Sequence, residues 1–472
     1  MLVFCCFGFV SVFGFVFLAA RARSPRLHAF PAQVEGYIGL LRHGLKEKHV
    51  ASVAMVRKVP EQLAAMLAEL DEGKSAINTM VADAVAAASA GIDEGDGAKA
   101  VAAFSSGIRT VLGFFTDEYI PNTRKEVGCR GLNNGEHVYA HCLKYHTTTS
   151  MSAEEIHNEG LAEVSRIEAR YQCDVMDKLG FKGTFAKFVE GCQDASSGHY
   201  YSSSEELLDG YRTLCKTISG LLPAYFNRIP AAPLEIVAKD AETAPAAYYM
   251  QGTSDGARPG RFYVNVSNLH QRPRYEMCAL ALHEAIPGHH HQGSLAIENE
   301  AIPSFLRFIE DRRYEFCPAR RQLYASYLEG WALYCEALGE EMGMYTDPIS
   351  LFGRLSMEMM RAVRLVVDTG IHAKGWTVER AIDYMMEKTG MHRHECEAEC
   401  FRYEAWPGQA CAYKVGEIAI WKMRRKAEAA FKAHGSVPFD LKQFHAVLLD
   451  SGPMPLDTLA HEVDEWVALL LE

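Results

Sequence analysis

Residues 276–292, EMCALALHEAIPGHHHQ, carry an apolar helical run as far as His283 and Glu284, break it at Pro287-Gly288 and resume with three consecutive histidines. So apolar a run belongs in a core, and the fold must therefore accommodate a buried helix interrupted in its middle. Imidazoles beside a carboxylate are ligands that zinc takes, and a glutamate next to the first ligand suits a general base. The usual helical arrangement is H-E-x-x-H, with the two histidines on one face. Here Pro287 stands four residues after His283, and His289, His290 and His291 follow at i+6, i+7 and i+8. On a regular helix only His290 would return to the face of His283, about 10 Å further along the axis, too far to share one ion. A metal site thus requires a distorted helix. Pro287 lacks a backbone donor and Gly288 tolerates unusual dihedrals, which together permit a kink or a looped-out turn. An effective insertion of two residues would bring His289 to the ligand position. The rival reading ends the helix at Pro287 and leaves a surface cluster of histidines.

At 472 residues, with 49% hydrophobic and 23% charged side chains, the chain has the composition of an ordinary soluble globular protein with a large core. A formal net charge of -12 argues against nucleic acid as a partner, since phosphate binding needs a basic surface. The 13 cysteines are odd in number and lack a disulfide rhythm; Cys396 and Cys400 have no second pair with which to form a zinc site. Buried thiols in a reducing compartment are the simplest reading. Residues 1–20, MLVFCCFGFVSVFGFVFLAA, point the other way, being uncharged, near the length of a membrane span and followed by Arg21, Arg23 and Arg26. They read as a membrane anchor or secretory signal, or else as a mis-assigned start ahead of a cytoplasmic protein. The expected organisation is this segment, 1–26, and a single domain, 27–472, made of a helical wall (27–228) and a metal-site portion (229–472).

Apolar spacing predicts helices across residues 27–126, with Pro60 at a helix start and Gly91 after a run. Ser152-Ala-Glu-Glu is a capping pattern that opens another helix. The isolated histidines His141, His146 and His157 read as structural. Between residues 229 and 266 the character changes: prolines punctuate three β-favouring runs, LEIVAK, AAYYMQ and RFYVNV, which predict a small sheet or hairpin beside the helices. Helix returns in RRQLYASYLEGWALYCEALGEEMG, residues 320–343, with Glu329 embedded between Leu328 and Trp331. A carboxylate in such company needs a charged partner, either a metal, for which Glu329 would be the third ligand, or an arginine. Arg361 and Arg364 stand three residues apart in the following helix, and ECFRYEAWPGQACAYKVGEIAIWKMRRKAE follows further on.

Taken in order, HEAIPGHHHQ, YLEGWALYCEALGEEMG, VVDTGIHAKGW and RYEAWPGQACAYKVGE, with DGARPGRFYVN upstream, resemble the DUF885 family of zincin-like, mostly helical metallopeptidases. The resemblance runs from about residue 27 to the C-terminus. It implies a mainly α, large helical zincin-like fold with a small β-sheet or hairpin next to the active-site helix. It implies one Zn2+ ion held by His283, His289 and Glu329, with Glu284 as general base and His290 as a rival to His289. RFYVNV, with Tyr263 and Asn265, corresponds to the edge strand that pairs with an extended peptide in zincins. His372, Tyr403 and Tyr413 lie in blocks from which related peptidases draw an oxyanion donor. Arg361 and Arg364 are placed either to bind a substrate carboxylate or, as the stronger reading, to pair with Glu or Asp. Family members commonly run longer at the N-terminus, which supports the mis-assigned-start reading of residues 1–26. The activity implied is hydrolysis of peptide bonds, with a non-catalytic binding protein or a hydrolase of non-peptide amides as the alternatives.

Overall fold

The computed structural model describes residues 23–86, 94–241, 245–253, 255–308 and 323–472. The apolar segment 1–20 and Gly91 lie outside the described residues. Among those described, no helix is long and apolar enough to cross a membrane.

The fold is mainly helical, as expected. An N-terminal bundle comprises α1 (Arg23–Lys46), α2 (Val53–Val56), α3 (Val59–Asp71), α4 (Ala76–Ala86) and α5 (Glu94–Phe114). Its apolar core runs from Leu27 to Tyr119 and also takes in Ala405 from much later in the chain. Pro60 occupies the first turn of α3, where its missing donor costs nothing. α1 lies along α5 because Gly107 lets the Phe30 ring approach; a Cβ there would come within 2.5 Å of it. Next come α6 (Gly135–Thr147), α7 (Ala153–Arg170), α8 (Phe185–Gln193) and α9 (Ser204–Tyr225). The predicted capping pattern opens α7, with Ser152 and Glu155 bonding each other's backbone.

The three β-favouring runs form β1 (Leu234–Lys239), β2 (Ala247–Met250) and β3 (Gly260–Asn265). They make one mixed sheet in the order β1-β3-β2, with β1 parallel and β2 antiparallel to β3. This corrects the edge-strand expectation for RFYVNV. Both sides of β3 are already paired, so its backbone cannot receive a peptide. Alternation explains why β3 is central: Phe262 and Val264 point into the core while Arg261 and Tyr263 stay half-buried.

The remaining helices are α10 (Arg274–Leu280), α11 (His289–Glu298), α12 (Ser304–Arg307), α13 (Ala325–Glu341), α14 (Pro348–His372), α15 (Val378–Thr389), α16 (Arg393–Ala405), α17 (Ala412–His434), α18 (Leu441–Asp450) and α19 (Leu456–Leu471). α13 is buried on every side from Ala325 to Gly339, so its sequence shows no polar stripe. α17 crosses it at glycines. A Cβ on Gly330 would lie 2.5 Å from the Gly416 backbone, and one on Gly416 would lie 2.0 Å from the Ser326 carbonyl. The buried Lys414 ammonium bonds Glu358 at 2.6 Å and Glu163 at 2.8 Å, and also Glu417, joining α17 to α14 and α7. Arg166 also pairs with Glu163 and Glu358, and Arg354 with Glu358, so three cations meet three carboxylates and removing Lys414 would leave the cluster one buried positive charge short.

Candidate metal centre

α10 does not run straight into α11. Residues Ala281–Ala285 widen into a π-turn that contains His283 and Glu284, Ile286 is extended, and α11 starts afresh at His289. The Ile286–Pro287 peptide is cis. The chain then folds back on the turn it has just left, so closely that a Cβ on Gly288 would lie 1.9 Å from the His283 carbonyl oxygen. Only glycine fits there. The doubling-back brings the His283 and His289 rings to a centroid separation of 4.9 Å, nearly perpendicular at 89°. Trp331 of α13 fixes the break from the other side, its indole N–H donating to the Pro287 carbonyl at 2.9 Å.

Glu329, on the same helix as Trp331, completes the group. Its Oε2 lies 3.5 Å from His283 Nε2 and 3.4 Å from His289 Nε2. The three ligand atoms all lie within 4.8 Å of one another, so the triad could hold a metal ion. Those separations exceed good N–H···O hydrogen bonds. They match two ligands of a tetrahedral ion, which at bond lengths of about 2.0–2.1 Å stand roughly 3.3 Å apart. Behind His283, Nδ1 meets Glu336 Oε1 at 2.7 Å, the outer carboxylate that orients a metal-binding imidazole. Burial works against charge on His283, but the Glu329 and Glu336 carboxylates outweigh it and raise its pKa to about 9. Burial likewise opposes charge on Glu329, yet the adjacent His283 and His289 imidazoles hold it well below the usual carboxylate range. Without an ion the group is thus held as an imidazolium beside carboxylates, and a metal bound there would take the place of that proton.

Glu284 is half-buried and its charge acts on His283. Tyr413 is brought alongside by the glycine crossing of α13 and α17. Burial raises its pKa, followed by the nearby charge of Glu329, so the phenol stays protonated. His290 faces away: Nε2 donates to the Ala232 carbonyl and Nδ1 meets the Tyr249 hydroxyl, each at 3.2 Å.

Other expected site residues have their polar atoms engaged elsewhere. His372 Nδ1 accepts from the Cys129 amide and Nε2 donates to the Tyr403 carbonyl, each at 3.0 Å, and burial lowers its pKa to about 4. The Tyr403 hydroxyl lies 3.0 Å from Arg364 Nε and also bonds Glu399. Arg364 pairs with Glu399 at 3.0 Å, the structural option for that arginine, and its guanidinium lies 4.6 Å from the centre of the Tyr413 ring. Asn265 bonds the Ala241 carbonyl and Ser267, shaping the corner after β3, and Tyr263 stacks on Tyr248 at 4.9 Å. Arg361 lies 3.7 Å from Glu336. The sequence reading missed Glu336 and Trp331. A second carboxylate seven residues after Glu329, on the same face of an apolar helix, was the available signal.

No curated protein matches this sequence. Among the solved structures similar to it are two described as a "putative lipoprotein". One, from Colwellia psychrerythraea, is 27% identical, with a TM-score of 0.82 over 95% of this chain and 76% of its own. The other, from Shewanella oneidensis and described as of unknown function, shares the fold at 18% identity, with a TM-score of 0.64 over 96% of this chain and 78% of its own. The profile of DUF885, described as a bacterial protein of unknown function, matches residues 19–463, a span that includes the broken helix, Glu329 and the α17 crossing. The chain belongs to the DUF885 family.

Proposed function

We propose that this chain is a zinc-dependent hydrolase of peptide bonds with a zincin-like site. The observation that carries the reading is the convergence of His283, His289 and Glu329, with Glu284 next to the first ligand. Two imidazoles and one carboxylate are a catalytic zinc set that leaves a position open. A zinc ion there would supply Lewis acidity to a substrate carbonyl and to the attacking water. Glu284 takes the proton from that water and passes it to the leaving amine. The Tyr413 phenol, kept protonated beside Glu329, donates a hydrogen bond to the developing oxyanion. Glu336 holds His283 in the tautomer with the proton on Nδ1, so that Nε2 faces the ion. Short peptides are the substrates favoured here, because His283 and Glu329 are 2% and 7% exposed and a folded protein cannot reach so buried a group.

Elemental analysis of the purified protein, with a mass-spectrometric digest of a mixed peptide library, tests this. One zinc per chain is expected, with peptide turnover that Glu284→Gln removes while the zinc is retained. Absence of stoichiometric zinc, or undiminished turnover in that variant, would sink the proposal.

A further inference from the structure

We infer that Arg361 is a positioning residue for the metal site, acting through Glu336 without touching the metal group. The inference rests on the metal reading above. Glu336 is 1% exposed, and its Oε1 is shared between His283 Nδ1 at 2.7 Å and Arg361 Nη2 at 3.7 Å. Its other oxygen has no hydrogen-bond partner among the described residues. The direction in which this carboxylate points is therefore set by His283 on one side and Arg361 on the other.

When His283 offers Nε2 to an ion, its ring is neutral and Nδ1 carries the proton given to Glu336. A neutral donor does not cancel the charge of a buried carboxylate, and an ion at Nε2 would stand on the far side of the imidazole ring, so a cation on the carboxylate's own side stabilises it further. Among the described residues, Arg361 is the one guanidinium or ammonium within ion-pair reach of Glu336. It is 5% exposed and held in place by its own helix, Nη1 donating to the Met357 carbonyl at 3.0 Å. It also lies near enough to Glu276 for its charge to act there. Glu276 is two turns before His283. Arg361 on α14 thus stands between the helix that delivers His283 and the helix that delivers Glu336, with a carboxylate from each. α14 reaches this position because Gly353 lets it close on α10, where a Cβ would come within 1.8 Å of the Tyr275 carbonyl.

A double-mutant cycle on the full chain separates a positioning role from a merely structural one. Zinc affinity is measured by chelator competition for the wild type, Arg361→Met, Glu336→Gln and the double variant, and cobalt substitution reports ligand geometry through its visible spectrum. Arg361→Met is expected to weaken zinc binding by about tenfold to a hundredfold, the range for outer partners of metal ligands. The double variant should bind no more weakly than Glu336→Gln alone, since the arginine has nothing left to act through. Circular dichroism in the presence of chelator checks folding. If Arg361→Met does not fold, Arg361→Lys carries the comparison, with an affinity between those of the wild type and Glu336→Gln. Unchanged affinity and cobalt spectrum in the Arg361 variant, or an equal loss in the Glu336→Gln background, overturns the inference alone. A wild type without stoichiometric zinc overturns the metal reading along with it.

Discussion

Gly288 and His283 are packed so tightly that a Cβ on the glycine would lie 1.9 Å from the histidine's carbonyl oxygen and 2.4 Å from that of Leu282. This contact lets a pair at i and i+6 share a carboxylate, as an i, i+4 pair does on an unbroken helix. Both obstructing atoms are backbone, so neither can swing aside. Gly288→Ala must therefore part the loop from the π-turn and separate the two rings. The expected result is a loss of stability of about 3 kcal/mol or more, the upper end of overpacking costs, with loss of stoichiometric zinc. Urea denaturation and elemental analysis measure the two effects, and a variant of wild-type stability would contradict the packing described.

Trp331→Phe isolates the second restraint on the break. Phenylalanine keeps most of the ring at a position 1% exposed and removes the indole donor to the Pro287 carbonyl. A buried carbonyl left unpaired costs about 1–3 kcal/mol. Because Glu329 is two residues earlier on the same helix, zinc affinity should fall together with stability. A variant that loses stability but binds zinc as tightly as the wild type would show that the break holds its geometry without the indole.

His289 and His290 are adjacent in sequence and point in different directions. His290→Gln should retain one zinc per chain, because its ring is committed to Ala232 and Tyr249, whereas His289→Gln should lose the metal. Zinc content of the two purified variants decides it, and the opposite pattern would reverse the assignment.

That choice shows where the sequence stops being readable. The break itself was legible, because proline and glycine have local consequences. Which histidine faces His283 depends on how Gly288 packs onto a carbonyl five residues earlier, and that is tertiary. The three strands were legible from β-branched and aromatic runs, but their order was not. β1 pairs with β3 across the intervening β2, so the run expected at the edge lies inside. Glu329 was legible as a carboxylate among large apolar residues. Glu336 has the same character and was passed over among the acidic residues that end the helix. His372 and Tyr403 have the side chains of an oxyanion donor, yet each is fixed by partners remote in sequence, among them Cys129 for the one and Arg364 for the other.

Tyr413→Phe tests the remaining candidate from that set. The glycine crossing leaves room for the ring whether or not it carries a hydroxyl, so zinc content and stability should stay near wild type. Loss of an oxyanion donor lowers kcat by about a hundredfold or more. Turnover of a peptide found in the library digest gives the measurement, and an unchanged kcat would remove Tyr413 from the chemistry.

Acid sensitivity should come from buried neutral histidines as well as from the metal site. Burial lowers the pKa of His372 to about 4 and that of His445 to about 3, against 6.5 for an exposed imidazole. Between those limits the unfolded chain binds a proton that the folded protein refuses. Stability is therefore full above pH 6.5 and falls as the pH drops towards 4, by about 1.4 kcal/mol per pH unit for each such group. Both rings are tied to backbone carbonyls, His372 to Tyr403 and His445 to Tyr225, so neither can reach water without local opening. His372→Gln removes one titrating group while keeping a side chain able to donate and accept. Urea denaturation at pH 7.5 and pH 5, with chelator present so that protonation of the ligands releases no metal, should show the variant losing about 2 kcal/mol less than the wild type between the two. Equal losses would mean that His372 titrates in the folded protein much as it does in the unfolded chain, and that its two backbone bonds do not hold it neutral.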